Sequence, residues 1–456
     1  MLSPLSNSVY ARLFSAQVIA LVGTGLTTVA LALLALELAG ADAGQVLGTA
    51  LAIKMIAYVT IAPVAGGFAQ FPPRRALLIG LDLARASFVA CLPFVTEIWQ
   101  IYVLIFLMQA CSAGFTPTFQ ATIPDVLTDE AEYTKALSLS RLAYDLESLL
   151  SPTFAAAALL LVSFNALFAF NALAFLLSAS LVLSVVLPAV RPATATRGVM
   201  ARVSFGIRAY LATPRLRGLL ALSMAVAAAG AMVIVNTVVY VRSHLGLGEE
   251  ETALLLAAFG GGSMLAALTL PRLLADVPDR TVMTGGAFLL AAGLAAGAWL
   301  PSYAGMMAVW FVIGVGYSTV QVPSGRLLRR SSSEGDRPAY YSAQFALSHA
   351  CWLLTYPLAG WLGATFGLTT TFVVLCTLAL TATFAALGLW PAPDPQELEH
   401  THEPLAHEHI HMHDEHHQHE HEGWEGPEPH SHAHRHKPLR HRHAFVIDAH
   451  HMRWPV

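Results

Sequence analysis

Long, almost unbroken apolar stretches alternate with short polar ones over most of this chain. A helix needs about 20 apolar residues to cross the hydrocarbon core of a bilayer. Windows of that size predict twelve spanning helices, over 13–36, 43–68, 76–96, 98–116, 134–162, 166–188, 218–241, 252–274, 281–299, 304–322, 339–363 and 369–390. The stretches are continuously apolar, without the period-two alternation of a barrel strand, so helices are favoured. After residue 390 the pattern stops. Pro391, Pro393 and Pro395 end the last helix, and the apolar positions that follow are too sparse to bury a core. The expected fold class is an all-α membrane protein of two six-helix halves, followed by a tail that stays disordered without a ligand.

The connections between spans add direction. Residues 191–217 form the longest of them, with six arginines and no acid. They divide the chain into a first half at 1–190, a basic linker at 191–217, a second half at 218–390 and a tail at 391–456. Loops after spans 2, 6, 8 and 10 are rich in arginine, whereas those after spans 1, 3, 5, 7, 9 and 11 carry only Arg242. Basic loops stay in the cytoplasm, so both termini and the tail are expected there, on a multi-pass protein of the inner cell membrane. Loops 2–3 and 8–9 are both basic and occupy matching places in the halves, the weak internal symmetry of a repeated transporter. Between spans 4 and 5, Pro124 to Glu130 predicts a helix start with Thr128 or Asp129 as N-cap.

Composition narrows the class. Hydrophobic residues make up 55% and charged residues 12%, about half the charged share of a soluble domain. The net charge of −4 conceals +3 in residues 1–390 and −7 in the tail. No basic surface suited to nucleic acid is expected. Cys91, Cys111, Cys351 and Cys376 fall in apolar stretches without C-x-x-C spacing and read as small buried residues. No nucleotide-binding loop is visible, and no nucleophile with an acid–base partner, so neither an enzyme nor a resident cofactor is expected.

The tail carries the most specific chemistry. Of 20 histidines in the chain, 18 lie between His400 and His451. One cluster is His407, His409, His411, His413, His416, His417, His419 and His421. A second is His430, His432, His434 and His436. A third is His441, His443, His450 and His451. Most neighbours follow H-x-H spacing, and in an extended segment alternate residues share a side. Two or three imidazoles then converge on one ion. Neutral imidazole suits zinc, copper and nickel, and Asp414, Glu415, Glu420 and Glu422 add oxygen ligands. The tail contains no cysteine, which argues against copper(I) or a closed structural zinc site. Divalent metal ions, protons and the lipid bilayer are the expected partners, and the protein is expected to be a monomer.

Ionisable groups at membrane depth cost about 2.5–3.5 kcal/mol on insertion scales and are functional candidates. Here they are few: Lys54 in span 2, Asp82 and Arg85 in span 3, Arg141, Asp145 and Glu147 in span 5, and His349 in span 11. Asp82 with Arg85 and Arg141 with Asp145 have the spacing of helical ion pairs. These five acids and arginines are expected toward the cytoplasmic ends of their spans. Glu147 lies about 200° round the helix from Asp145 and faces a different neighbour.

At Gly66-Gly67-Phe68-Ala69-Gln70-Phe71-Pro72-Pro73-Arg74-Arg75 the first glycine and the final arginines match the loop 2–3 signature of the major facilitator superfamily. Gln70, Phe71 and Pro73 replace its acid, basic residue and glycine, so the charge pair credited to that acid lacks its carboxylate. That resemblance covers residues 1–390; with Arg141 to Glu147, Ser348 to Trp352 and the histidine tail, the whole pattern looks most similar to the nickel-resistance exporters of that superfamily. The resemblance implies that spans 2, 5, 8 and 11 flank the boundary between halves, with Lys54, Glu147 and His349 on the transport path. The reading is secondary active export of a divalent metal, nickel first and cobalt or zinc after it, by proton antiport. Export of organic compounds, metal storage or sensing without transport, and uptake remain as alternatives.

Overall fold

The computed structural model describes residues 1–69, 73–188, 198–394, 397–402, 406–411, 430–435, 439–447 and 454. The first half comprises α1 (Ser8–Ala39), α2 (Ala43–Phe68), α3 (Arg74–Cys91), α4 (Ile98–Val126), α5 (Glu130–Leu159) and α6 (Phe164–Leu183). A short helix, α7 (Val199–Ala212), leads to the second half. That half holds α8 (Pro214–Val238), α9 (Glu249–Asp276), α10 (Asp279–Gly297), α11 (Tyr303–Gln321), α12 (Ser324–Arg330) and α13 (Arg337–Leu389).

Among the described residues, ten helices are long and apolar enough to span a membrane, with α13 counted once. Gly367 breaks α13 with φ 82°, a conformation glycine adopts without a Cβ penalty. Its two arms are the separate spans predicted at 339–363 and 369–390. Helix α5 falls short on hydropathy because Arg141, Asp145 and Glu147 lie within it. With α5 and both arms of α13, the bundle has the twelve spans the apolar pattern predicts.

Two helices were not expected. Helix α7 occupies the basic linker and buries Phe205, Gly206, Ala209 and Tyr210 along one face, packing against α2 and α13. Its polar positions and short length hide it from a span-sized window. Helix α12 is too short for that window as well. Helix α4 continues to Val126, beyond the predicted end at 116, and Thr118 and Thr122 donate their hydroxyls to the carbonyls of Gly114 and Thr118. Asp129 caps α5, accepting a hydrogen bond from the Glu132 amide at 2.8 Å, as anticipated.

Lipid offers no hydrophobic drive for helices to associate, so close backbone packing matters more. Helices α9 and α11 meet at reciprocal glycines. A Cβ on Gly262 would lie 2.0 Å from the Phe311 carbonyl oxygen, and one on Gly314 would lie 1.9 Å from that of Phe259. Leucines such as Leu173, Leu177, Leu265 and Leu268 remain exposed on the flanks, where lipid would cover them.

Among the described residues, two antiparallel ribbons lie beyond α13. Strand β1 (Glu397–His402) pairs with β4 (Leu439–Ala444), and β2 (Ala406–His411) with β3 (His430–Arg435), so the second pair is nested within the first.

Candidate functional site

The seven membrane-depth candidates separate into three groups. In the first, His349 meets α2 across the boundary between the halves, beside Lys54, and Glu147 of α5 lies on the first-half side of the same region. His349, on α13, sets its ring edge-on to Tyr58 of α2 with centroids 4.8 Å apart. Phe345 packs against both rings, at 4.2 and 4.8 Å, and the Tyr58 hydroxyl donates to Gln109 at 2.8 Å. The Lys54 ammonium stands 5.7 Å from the Tyr58 ring centroid. It interacts electrostatically with Glu147, although no ion pair joins them among the described contacts. Glu147 accepts a hydrogen bond from Ser151 at 3.2 Å and lies against Gly25 of α1.

His349 is further defined by its Nδ1, 2.7 Å from the Phe345 carbonyl oxygen one helical turn back. A carbonyl only accepts, so a neutral His349 carries its proton on Nδ1 and its lone pair on Nε2. The second nitrogen is therefore the one able to bind a proton or a metal ion.

Arg141 and Asp145 form the second group. They pair along α5, and Asp145 also accepts from Ser263 of α9 at 2.6 Å. Ser263 and Ser318 of α11 share a hydrogen bond of 2.6 Å, while Arg141 lies 5.0 Å from the Tyr317 ring. This carboxylate thus joins α5 to the second half through hydroxyls. The 200° separation is realised: Asp145 faces α9, and Glu147 faces α1.

Asp82 and Arg85 are the third group, and they lie inside the first half. They pair along α3, Ser178 of α6 donates to Asp82 at 2.8 Å, and the Arg85 guanidinium sits between Phe115 and Phe175 at 3.9 and 4.4 Å. Their geometry is that of helix-to-helix attachment. Asp82 and Asp145 both lie near the midpoints of their helices. The expectation that these pairs sit toward the span ends is corrected, because satisfied partners allow charge at mid-depth.

At the arginine-rich end of the bundle, a latch absent from the predicted set closes the halves. Asp125, at the end of α4, pairs with Arg74 of α3 and with Arg337 at the start of α13. Arg326 of α12 pairs with Glu130 at 2.8 Å and donates to Thr134 at 3.0 Å. Arg329 donates to the Thr128 carbonyl, and the Tyr133 and Tyr341 hydroxyls are 2.7 Å apart. Among the described residues, every ion pair between the halves lies at this end. Gln70 and Phe71 of the signature lie outside the described residues, but Arg74 finds its carboxylate on Asp125 instead. The arginines were visible in the sequence as loop charge; their partner, read only as part of a helix start, was not.

In the tail, register turns the H-x-H spacing into facing pairs. His407 stands opposite His434, His409 opposite His432 and His411 opposite His430. His400 pairs with His441, and His443 with Leu398. His413, His416, His417, His419, His421, His436, His450 and His451 lie outside the described residues. Among the described residues, no group of three or more histidine, cysteine, aspartate or glutamate side chains is placed to hold a metal.

Twelve spans in two latched halves, with sparse ionisable groups between them, define a multi-pass membrane transporter. The family model of the Major Facilitator Superfamily matches residues 13–228 and 220–447; the chain belongs to that superfamily. Over 121 residues it is 28% identical to the uncharacterized MFS-type transporter YfiS of Bacillus subtilis (strain 168), covering 26% of this chain and 29% of that protein. Over 152 residues it is 26% identical to macrolide efflux protein A of Enterococcus faecalis, covering 31% of this chain and 47% of that one. The chain thus matches less than half the length of these two relatives.

Among solved structures, the human organic anion transporter MFSD10 (TETRAN) superposes with a TM-score of 0.71 at 12% identity, over 83% of this chain and 98% of that one. A bacterial homologue of the iron transporter ferroportin, in an outward-facing state, gives 0.69 at 15%, over 84% and 99%. At these identities the likeness is one of fold.

Proposed function

We propose that this transporter exports divalent transition-metal ions, nickel foremost with cobalt and zinc as further candidates, by proton antiport. The observation that carries the reading is the 18 histidines between His400 and His451, a density far above ordinary composition. Register sets several of them opposite one another. The arginine-rich end then faces the cytoplasm, with the tail beside it, and the latch closes the path on that side. The fold is compatible with metal transport, being shared with the ferroportin homologue.

In this reading, the tail collects cytosolic metal and passes it to the path when the latch opens. Glu147 and the Nε2 of His349 are the donors available there, because Asp145 is engaged by Arg141 and Ser263. So small a donor set binds weakly, which suits an ion that must leave. When the carrier is empty, the Lys54 ammonium compensates Glu147; metal arriving displaces it. Release outward lets a proton return on Glu147 or His349, which resets the cycle. No nucleotide-binding motif offers another energy source.

A second reading, export of an organic compound with the tail as a metal buffer, draws on the aromatic lining of Tyr58, Phe345, Tyr317 and Trp352. The efflux relative and the absence of a three-donor site among the described side chains also favour it. The deciding measurement is metal accumulation in a bacterium stripped of its own exporters. Cells making the chain should hold less nickel, cobalt or zinc than controls. Glu147→Gln should restore accumulation to the control level with the protein still folded and in the membrane. Replacing the tail histidines by alanine, with the rest of 391–456 kept, should raise accumulation at a given external metal concentration. Equal accumulation with and without the chain would overturn the proposal, and metal binding without flux in liposomes would indicate storage or sensing.

The tail also predicts a pH dependence. A ligand imidazole must be neutral, so affinity is greatest above the unperturbed histidine pKa of about 6.5 and falls as protons compete below it. Nickel titrations of the full chain should show strong binding at about pH 7.5 and little at about pH 5.5. Equal affinity at both would exclude imidazole as the ligand.

A further inference from the structure

The tail is joined to the bundle at more than its base. Its longest uninterrupted apolar run is Ala444 to Ile447, and this run does not face solvent. Phe445 and Ile447 are only 3% and 4% exposed and belong to the apolar core of the second half. The buried Tyr340 hydroxyl, near the start of α13, donates to the Ile447 carbonyl at 2.8 Å. Trp454 sets its ring edge-on to Phe445, with centroids 5.1 Å apart, and lies 5.1 Å from the Arg215 guanidinium.

Arg215 also holds the beginning of the tail. It pairs with Asp394 at 3.2 Å, which in turn accepts from the Trp390 indole at 3.0 Å and pairs with Arg330 at 3.5 Å. One buried arginine therefore contacts both ends of the histidine-rich stretch. The backbone agrees: Glu397, just after the first anchor, stands opposite Ala444, just before the second.

We propose that Phe445–Ile447, with Trp454, is a docking element seated on Tyr340 and Arg215, which closes the histidine-rich stretch into a strap fixed at both ends. The inference is independent of the cargo. A tether held at one end lets its ligands roam, whereas a strap keeps them at a high local concentration over one face. The seat also adjoins the latch. Arg337 and Tyr341 are four residues apart, share a face of α13 and reach the first half. Tyr340, between them in sequence, turns to the docked segment and meets Phe205 of α7 edge-on at 6.3 Å. Docking thus braces the turn of α13 that carries the second half's share of the latch.

Amide hydrogen exchange of the full chain in lipid nanodiscs, followed over peptides covering 440–456, tests this. Protection around residues 445–447 should be about tenfold or more above that in the variant Phe445→Asp/Ile447→Asp, as for a local opening equilibrium. Peptides from α6, which takes no part in the latch, should exchange equally in both proteins. Tyr340→Phe keeps the ring and removes only the hydrogen bond, so it should raise exchange at 445–447 by a smaller factor without unfolding the bundle. Protection should not change on dilution. Exchange in the unaltered chain as fast as in the double variant would overturn the proposal. Protection lost on dilution would also overturn it, since the seat would then belong to a second copy.

Discussion

The halves touch at two levels, and charge is used differently at each. At the arginine-rich end, ion pairs cross the boundary: Asp125 to Arg337, and Glu130 to Arg326. At mid-depth the ion pairs stay within one helix, Asp82 with Arg85 along α3 and Arg141 with Asp145 along α5. Contact across the boundary there is made by hydroxyls and rings, through Ser263 and through Tyr58 with His349. Desolvation accounts for the difference. A pair near the membrane surface can separate because water rehydrates both charges. A pair at mid-depth has no such solvent, and separating it would strand two ions in a medium of low dielectric. Pairs confined to one helix move with it in any relative motion of the halves and never need to part.

The largest effect that would break this contrast is expected from Asp125→Asn. The side chain is 4% exposed and lies between two arginines. Losing its charge removes the carboxylate that both arginines pair with, leaving Arg74 only its contact with Glu334, at a cost of about 3–5 kcal/mol to the closed state. Spin labels at Ala131 and Glu334, one on each half, should then report a longer distance at the arginine-rich end. An unchanged distance would show that Asp125 does not hold the latch. Asp82→Asn removes an equally buried charge and should cost a similar about 3–5 kcal/mol, but as lowered thermal stability with the label distance unchanged. If Asp82→Asn also opened the latch, mid-depth pairs would not be passive passengers.

A middle-sized effect should come from Ser263→Ala. It removes the hydroxyl that Asp145 accepts from across the boundary, a charged hydrogen bond worth about 1.5–3 kcal/mol. Arg141 still neutralises the carboxylate, so the protein should fold. The shift should favour the state in which α5 and α9 are further apart, read by the same pair of labels. A loss of stability without a shift would place Ser263 among packing residues only.

Much of the fold was legible because lipid imposes a simple rule on sequence: twenty apolar residues or no span. All twelve spans obey it, even where charges depress the hydropathy of α5 and where Gly367 hides a break in α13. The rule does not register α7 and α12, which lie along an end of the bundle and are too short for it. Within the site, the intrahelical pairs followed from spacing alone, since positions three or four apart on a helix must be neighbours. The latch did not. Asp125 and Arg337 are far apart in sequence, and only the packing of α4 against α13 brings them together. The same holds for Tyr340 and Ile447. For the histidines, spacing revealed the periodicity, whereas the pairing of β2 with β3 is a matter of register that spacing leaves open.

The smallest effect concerns the neutral part of the latch. Tyr341 donates its hydroxyl to the Gly325 carbonyl at 3.2 Å, so at the Tyr133 contact of 2.7 Å it must accept, and Tyr133 donates. Tyr133→Phe therefore loses one bond, the one across the boundary, worth about 0.5–1.5 kcal/mol. Tyr341→Phe loses that bond and the one to Gly325, and should cost more. Once Tyr341 is Phe, the Tyr133 hydroxyl has already lost its partner, so adding Tyr133→Phe should cost little further. The double variant should then shift the label distance distribution hardly more than Tyr341→Phe alone. Strict additivity would mean the two hydroxyls act separately. Because no charge is stranded in any of these variants, the latch should remain mostly closed, which separates a hydrogen bond at this level from the ion pairs beside it.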